Sequence, residues 1–166
     1  MIIMKKIILI SLFLSTSFAV YTTGQTVSIS DQNISLDGCD PSSDYYGQSF
    51  KMADWNGDLN GGNYKVIWLE MSASWWGSCY SSIGTMDNIH NQWDEVEAVA
   101  MAVELSDPNQ PYSCSSWANA YNLSEPLIVN GGSPYYDWWN MFETTYVPAN
   151  AFIDHNMKLH YKTNSL

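Results

Sequence analysis

Five short apolar runs along the chain predict the strands of a central sheet. The clearest is KVIWLEM at 65–71, and 98–103 and 126–129 are similar. These runs lack alternation between apolar and polar residues, which is typical of strands buried on both faces. Runs at 151–154 and 158–161, on either side of a polar turn, predict a closing pair of strands.

Two segments between these runs have helical patterns. From 81 to 93 the apolar residues recur at spacings of three, three and four, at Ile83, Met86, Ile89 and Trp93. This spacing indicates a helix with one buried face. Ser113 is placed to cap a second helix over 115–123. Strands that alternate with helices predict an α/β layer around a central sheet.

The ends of the chain differ in character from this middle part. Residues 1–19 carry two lysines, an apolar run and small residues at Ser17 and Ala19, which predicts a cleavable signal peptide. Residues 20–47 are rich in Ser, Thr, Asn and Asp, and we expect an irregular lead-in there. One domain at 48–166 follows. We therefore expect a secreted or periplasmic protein with no stable membrane span after cleavage.

Charge narrows the choice of partners. After removal of the leader, four lysines face seventeen acidic residues, which gives a net charge of −13, and the chain has no arginine. Such a surface repels phosphate backbones and lacks the forked donors that grip phosphate. We therefore expect no nucleic-acid partner.

The sequence predicts neither a metal site nor a cofactor. Asp54, Asn56, Asp58 and Asn60 alternate as in a calcium loop. However, Leu59 stands where that loop needs glycine, and Lys65 stands where it needs glutamate. A plain turn is the better interpretation. The three histidines show no metal-ligand spacing.

The stretch SASWWGSC at 72–79 carries the candidate chemistry. With its surroundings it resembles the extracytoplasmic thioredoxin-like redoxins of the TlpA type. Four segments resemble family motifs in the right order, and together they span 48–161: Ser49–Gly57, Lys65–Leu69, Ala73–Cys79, and Val147–Pro148 with Ala151–Asp154. The family places two cysteines around a Gly-Pro pair at the start of a helix. Here tryptophan occupies the first cysteine position.

The resemblance implies a thioredoxin fold and roles for particular residues. Cys79 matches the resolving cysteine, Glu70 the buried acid that accepts its proton, and Pro148 the cis-proline that presents backbone to substrate. Trp76 occupies the position of the attacking cysteine, whose thiolate forms a mixed disulfide with substrate. Trp75, Gly77, Ser78 and Val147 are the implied binding residues. The family ends in a helix, but only 162–166 follow the last predicted strand, so that helix is expected to be missing or trimmed.

Trp76 decides between the functional hypotheses, because an indole cannot form a mixed disulfide. Three interpretations stay open: a true substitution, a misread cysteine, or a UGA codon that the cell reads as selenocysteine. A thiol or selenol at this position implies a thiol–disulfide oxidoreductase acting on exported proteins. A true tryptophan implies a non-catalytic module that binds extended peptide segments. A third possibility is a single-thiol role for Cys79.

The two remaining cysteines have more than one possible pairing. Cys39 and Cys114 could form a structural disulfide between the lead-in and the second helix. Alternatively, Cys114 could partner Cys79. Three cysteines in an oxidising compartment leave at least one unpaired within the chain.

Overall fold

The computed structural model describes residues 20–93, 98–105, 112–121, 127–131 and 137–166. The predicted leader at 1–19 lies outside the described residues. The strands are β1 Ser35–Gly38, β2 Ser49–Lys51, β3 Val66–Ser72, β4 Val99–Leu105, β5 Leu127–Asn130, β6 Ala149–Ile153 and β7 Leu159–Thr163. The helices are α1 Ile29–Gln32, α2 Gly77–Trp93, α3 Cys114–Tyr121 and α4 Asp137–Phe142, with a 3-10 turn at Met52–Trp55.

The described strands form one mixed sheet in the order β2-β1-β5-β4-β3-β6-β7. At its centre β3 pairs in parallel with β4, and β4 with β5. On its other side β3 pairs antiparallel with β6, which pairs antiparallel with β7. The predicted α/β arrangement around a central mixed sheet is confirmed. Across the described part of the chain, no helix is long and apolar enough to cross a membrane.

Both faces of the sheet are buried, which explains the continuous apolar runs. Ile67, Leu69 and Met71 of β3 enter one core, together with Trp138 and Phe142 of α4. Trp68 enters the opposite core, with Ile83 and Met86 of α2 and Trp117 of α3. A strand between two apolar layers needs apolar side chains at successive positions, and β3 has them.

The predicted elements agree with the structure more closely in type than in extent. The predicted strands are present, with ends displaced by one or two residues. Helix α2 begins at Gly77, one turn before its expected start, because Gly77 and Ser78 are exposed small residues that add nothing to the apolar pattern. Ser113 caps α3 as predicted, since its Oγ accepts the amide of Ser116 at 3.2 Å.

The expectation of an irregular lead-in at 20–47 is wrong. This segment contains α1 and β1, and β1 pairs with both β2 and β5, so the sheet begins before residue 48. Only Leu36 supplies a large apolar side chain to β1, which is held mainly by its backbone ladder and therefore leaves little trace in the sequence. At the other end, β7 is the last element, and residues 164–166 form no helix.

A disulfide joins the sheet to helix α3. Cys39, directly after β1, is bonded to Cys114, the first residue of α3, across 75 residues of sequence. Cross-linking residues so far apart removes much conformational freedom from the unfolded chain, which stabilises the folded state. Cys79 is the free cysteine among the described residues.

A buried carboxylate fixes the short helix α4. Glu104 of β4 is fully buried, and its two oxygens accept the amides of Trp138 and Trp139, each at 2.9 Å. These amides belong to the first turn of α4, whose N–H groups have no partner within the helix. Glu104 therefore anchors α4 to the sheet, just before the loop at 143–148.

Replacement of this anchor should destabilise the protein. We expect Glu104→Ala to lower the free energy of unfolding by about 3 kcal/mol, because one buried and one partly buried amide lose a charged partner. Urea unfolding measures the change. Glu143→Ala, which removes an exposed glutamate side chain just beyond α4, is the control and should change it little. Equal stability of the two variants would contradict the anchoring role.

Candidate functional site

The pairing of β3 with β6 brings two distant segments together. In this antiparallel ladder Met71 lies opposite Ala149. The residues that follow β3 therefore lie beside those that precede β6. The first are the WWGSC loop and the second are Val147 and Pro148, which are joined by a cis peptide bond. The motifs at 73–79 and 147–148 thus form one site.

Trp76 lies at the start of α2. Its amide donates to the carbonyl of Ala73 at 3.2 Å, which closes a turn between β3 and the helix. Its own carbonyl accepts the amide of Cys79 at 3.0 Å, the first bond of the helix. Residue 76 is therefore the helix cap, the position at which the helix dipole would stabilise a thiolate. The indole at this position gains nothing from the dipole.

Four side chains around this start form an exposed apolar cleft. Trp75, Trp76 and Tyr146 are 51%, 46% and 60% exposed, and with Val147 they line a cleft of about 400 Å³. The two indoles meet edge to face, with ring centroids 5.6 Å apart. Large apolar side chains that gather on a surface mark interaction sites more often than isolated ones do.

The Val147 backbone lies at the edge of this cleft. Among the described residues, neither its N–H nor its C=O makes a hydrogen bond, although the next residue pair of the ladder, Met71 with Ala149, lies close by. Val147 precedes β6, an interior strand between β3 and β7, and main-chain groups left unpaired beyond the end of a strand can pair with an added extended chain. The cleft therefore combines an apolar wall with a free backbone donor and acceptor.

Cys79 lies beneath the cleft and is fully buried. Its Sγ accepts the amide of Ala73 at 3.4 Å. Burial raises the pKa of the Cys79 thiol to about 11, although the Ala73 amide opposes this shift. The thiol is therefore protonated near neutral pH, and a protonated thiol is a poor nucleophile. Cys79 cannot replace an attacking cysteine at position 76.

Glu70 is a buried carboxyl on the same side of β3. It is fully buried, and the hydroxyl of Ser72 donates to its Oε1. Burial raises the pKa of Glu70 to about 7, although the Ser72 hydroxyl partly offsets the shift. Its charge also contributes to the raised pKa of Cys79, although burial is the larger cause. This is the environment expected for an acid that exchanges a proton with the buried thiol.

Asn150 completes this polar cluster. It lies opposite Glu70 in the β3–β6 ladder, and its Oδ1 accepts the indole N–H of Trp68 at 2.8 Å. Its Nδ2 and the Oε2 of Glu70 are both buried and have no hydrogen-bond partner among the described residues. Buried polar atoms without partners are costly in a purely structural core. They identify the environment of Cys79 as one that packing alone does not explain.

The predicted site residues separate into three groups. Trp75, Trp76 and Val147 line the cleft, whereas Cys79, Glu70 and Pro148 are buried. Gly77 and Ser78 are exposed on the first turn of α2 but do not line the cleft. The sequence analysis did not identify Tyr146, although its place directly before the Val-Pro pair could have indicated it.

In the described part of the chain, no cluster of His, Cys, Asp or Glu could hold a metal ion.

Solved structures with the same architecture are thioredoxin-like proteins at low sequence identity. The chain is similar to the exposed lipoprotein thioredoxin of Streptococcus pneumoniae strain TIGR4, with a TM-score of 0.58 and 20% identity over 80% of this chain and 89% of that one. It is also similar to DsbF of Mycobacterium tuberculosis, with a TM-score of 0.61 and 16% identity over 84% and 89%.

A third similar structure is a secreted disulfide oxidoreductase of Mycobacterium tuberculosis, with a TM-score of 0.58 and 16% identity over 84% of this chain and 88% of that one. No protein-family model matches the chain, and no curated protein matches it. At these identities the likeness establishes the thioredoxin fold, and the predicted fold is confirmed.

The raised pKa of Glu70 predicts an unusual dependence of stability on pH. The folded-state pKa of about 7 exceeds the ordinary glutamate pKa of 4.5, so between these values the folded protein binds more protons than the unfolded chain. Stability should therefore fall as pH rises from 4.5, and the loss should level off above pH 7. The complete loss is on the order of 3 kcal/mol.

Glu70→Gln removes this titration and tests its origin. Wild type should lose about 2 kcal/mol of its free energy of unfolding between pH 5 and pH 8 through this titration, whereas the variant should not. The difference between the two proteins should therefore grow by that amount over this range, as measured with urea. Asp44→Asn, which changes an exposed carboxylate, should follow the wild-type curve. Parallel curves for Glu70→Gln and wild type would show that Glu70 does not titrate in this range.

Proposed function

We propose that this protein is an exported thioredoxin-fold module that binds an extended peptide segment without forming a disulfide with it. The observation that carries the proposal is the cleft of Trp75, Trp76, Tyr146 and Val147. Its occupant is an extended segment of another exported protein, with one apolar side chain in the cleft. The predicted signal peptide and the exposed or secreted nature of two of the similar proteins support export.

The main chain of the peptide would pair with Val147. An extended segment placed along the cleft can accept from the N–H of Val147 and donate to its C=O, with the main-chain pairing that strand addition uses. These bonds recognise backbone and therefore do not depend on the peptide sequence. The four apolar side chains of the cleft then select among peptides, because they favour an apolar side chain between them.

The surroundings of the cleft favour binding over chemistry. Cys79 is buried beneath Trp76 and protonated near neutral pH, so a bound disulfide would meet no thiolate. The tryptophan that removes the nucleophile adds a large apolar surface, and buried tryptophan is common among residues that dominate binding energy. Without the predicted leader, four lysines against seventeen acidic residues give a net charge of −13, which favours neutral or basic segments over acidic ones.

A second candidate function is thiol–disulfide exchange. The pairing of buried Glu70 with Cys79 favours it, since a binding module has no need for a carboxyl beside a thiol. The reaction requires a thiol or selenol at position 76. That group would attack a substrate disulfide, form a mixed disulfide with one substrate sulfur and release the other as a thiol. Cys79 would then attack residue 76 and release the second substrate thiol, which leaves a bond between residues 76 and 79. The substrate disulfide is reduced and the protein pair is oxidised. The identity of residue 76 decides between the two functions.

Blocked peptides without cysteine test the binding proposal. The probes are fluorescein-labelled Thr-Val-X-Val-Thr peptides in which X is Leu, Phe or Ser, and anisotropy gives Kd. We expect the Leu and Phe peptides to bind about tenfold more tightly than the Ser peptide, since an apolar side chain is buried only in the first two. Trp76→Ala should weaken Leu and Phe binding about tenfold and remove the preference.

Tyr80→Ala is the matched control for this experiment. Tyr80 is a 59% exposed aromatic residue on the first turn of α2 that does not line the cleft, so its removal should leave Kd unchanged. No binding by the wild type, or equal binding by wild type and Trp76→Ala, would contradict the proposal.

A further inference from the structure

The side chain of Asn164 contacts the loop before β6 at several points. Its Nδ2 lies within hydrogen-bond distance of three oxygens, which share its two hydrogens: the hydroxyl of Thr144 at 2.5 Å, the carbonyl of Tyr146, and the carbonyl of Pro148 at 3.1 Å. Its Oδ1 accepts the amide of Thr145 at 3.4 Å. One side chain thus contacts four of the five residues at 144–148, all except Val147.

The pattern of these contacts separates Val147 from its neighbours. Asn164 holds the carbonyls on both sides of Val147, those of Tyr146 and Pro148. Two flanking carbonyls that point to the same side chain define the orientation of the peptide groups between them. Within the described part of the chain, the N–H and C=O of Val147 stay without a partner, between two carbonyls that both contact Asn164.

The position of Asn164 is itself fixed by the sheet. It follows directly after β7, whose last residue, Thr163, lies opposite Asn150 of β6. In the same strand, the Nζ of Lys162 donates to the carbonyl of Glu143 at 3.0 Å, at the beginning of the same loop. The end of β7 therefore holds the loop at 143 and at 144–148. The loop has supports at both ends that lie outside the cleft.

We infer that Asn164 is a positioning residue of the peptide site, which orients the Val147 backbone for pairing with the bound segment. The inference rests on the proposed function and deepens it by naming the group that prepares the main-chain contact. An amide suits the role because it offers two donors to carbonyls and one acceptor to an amide. A carboxylate of the same shape has no donors and would repel the carbonyls.

The test separates the main-chain contact from the apolar contact. The probes are the Thr-Val-Leu-Val-Thr peptide, its Ser counterpart, and three versions of the Leu peptide in which each central amide in turn is N-methylated. In wild type, at least one methylation should weaken binding about tenfold, because it removes the hydrogen that would donate to Val147. The corresponding methylation should change Kd less than twofold in Asn164→Ala.

Asn164→Ala and Asn164→Asp should both weaken binding of the unmodified Leu peptide about tenfold. Their preference for Leu over Ser should stay as in wild type, because the apolar wall of the cleft is untouched. A variant with general structural damage would lose this preference as well. Ser165→Ala, one residue further along the tail, is the control and should bind as wild type does. The urea midpoint of each variant verifies that it is folded, and Asn164→Asp preserves the size of the side chain.

The outcomes distinguish the inference from the proposal on which it rests. If wild type binds none of the peptides, the proposed function is wrong and the role of Asn164 fails with it. If wild type binds and both Asn164 variants bind the Leu peptide as tightly as wild type does, only the role of Asn164 is overturned. Weaker binding with the same sensitivity to N-methylation as wild type would also overturn it. Weaker binding with that sensitivity lost supports it.

Discussion

The antiparallel register between β3 and β6 determines where the site forms. Met71 lies opposite Ala149, and both strands are buried on both faces, so the register cannot slip by one residue without exposing apolar side chains to the wrong layer. This pairing alone brings Trp76 and Val147 together across about seventy residues of sequence. The start of α2, the cleft and the unpaired backbone of Val147 all follow from that alignment.

Two buried carboxylates occupy neighbouring central strands, and their surroundings give them different roles. Glu104 has both oxygens bonded to amides at the start of α4, so its charge is compensated and its role is structural. Glu70 has a bonded Oε1 and an unbonded Oε2 beside a thiol. A carboxyl in this environment favours its protonated form. Beneath the cleft there is thus a buried carboxyl and a buried thiol, while an exposed indole stands at position 76.

Local patterns predicted the parts of this protein whose side chains are buried in regular order. The continuous run at 65–71 and the spacing of Ile83 and Met86 both reflect contact with apolar layers, and such contact leaves a period in the sequence. Strand β1 and helix α4 were not predicted, because the first is held by backbone pairing and the second by Glu104 from 34 residues away. Contacts between residues far apart in the chain leave no regular spacing of apolar residues in the sequence.

The same reasoning explains which site residues could be found. Trp75, Trp76 and Val147 belong to motifs that can be compared along the chain, and the structure brings them together. Asn164 acts across 16 to 20 residues through single hydrogen bonds, and nothing in the tail sequence marks it. The roles proposed for these residues depend on one feature above all, which is a tryptophan at the helix cap.

The most direct test is therefore a mass-resolved thiol measurement on the protein from its natural source. The native protein is alkylated before and after mild reduction, digested, and the mass of residue 76 is read from its peptide. We predict a tryptophan mass at 76, Cys79 alkylated only after unfolding, and Cys39 linked to Cys114 before reduction. A cysteine or selenocysteine mass at 76, with a bond to Cys79 that opens on mild reduction, would contradict the binding account and identify an oxidoreductase.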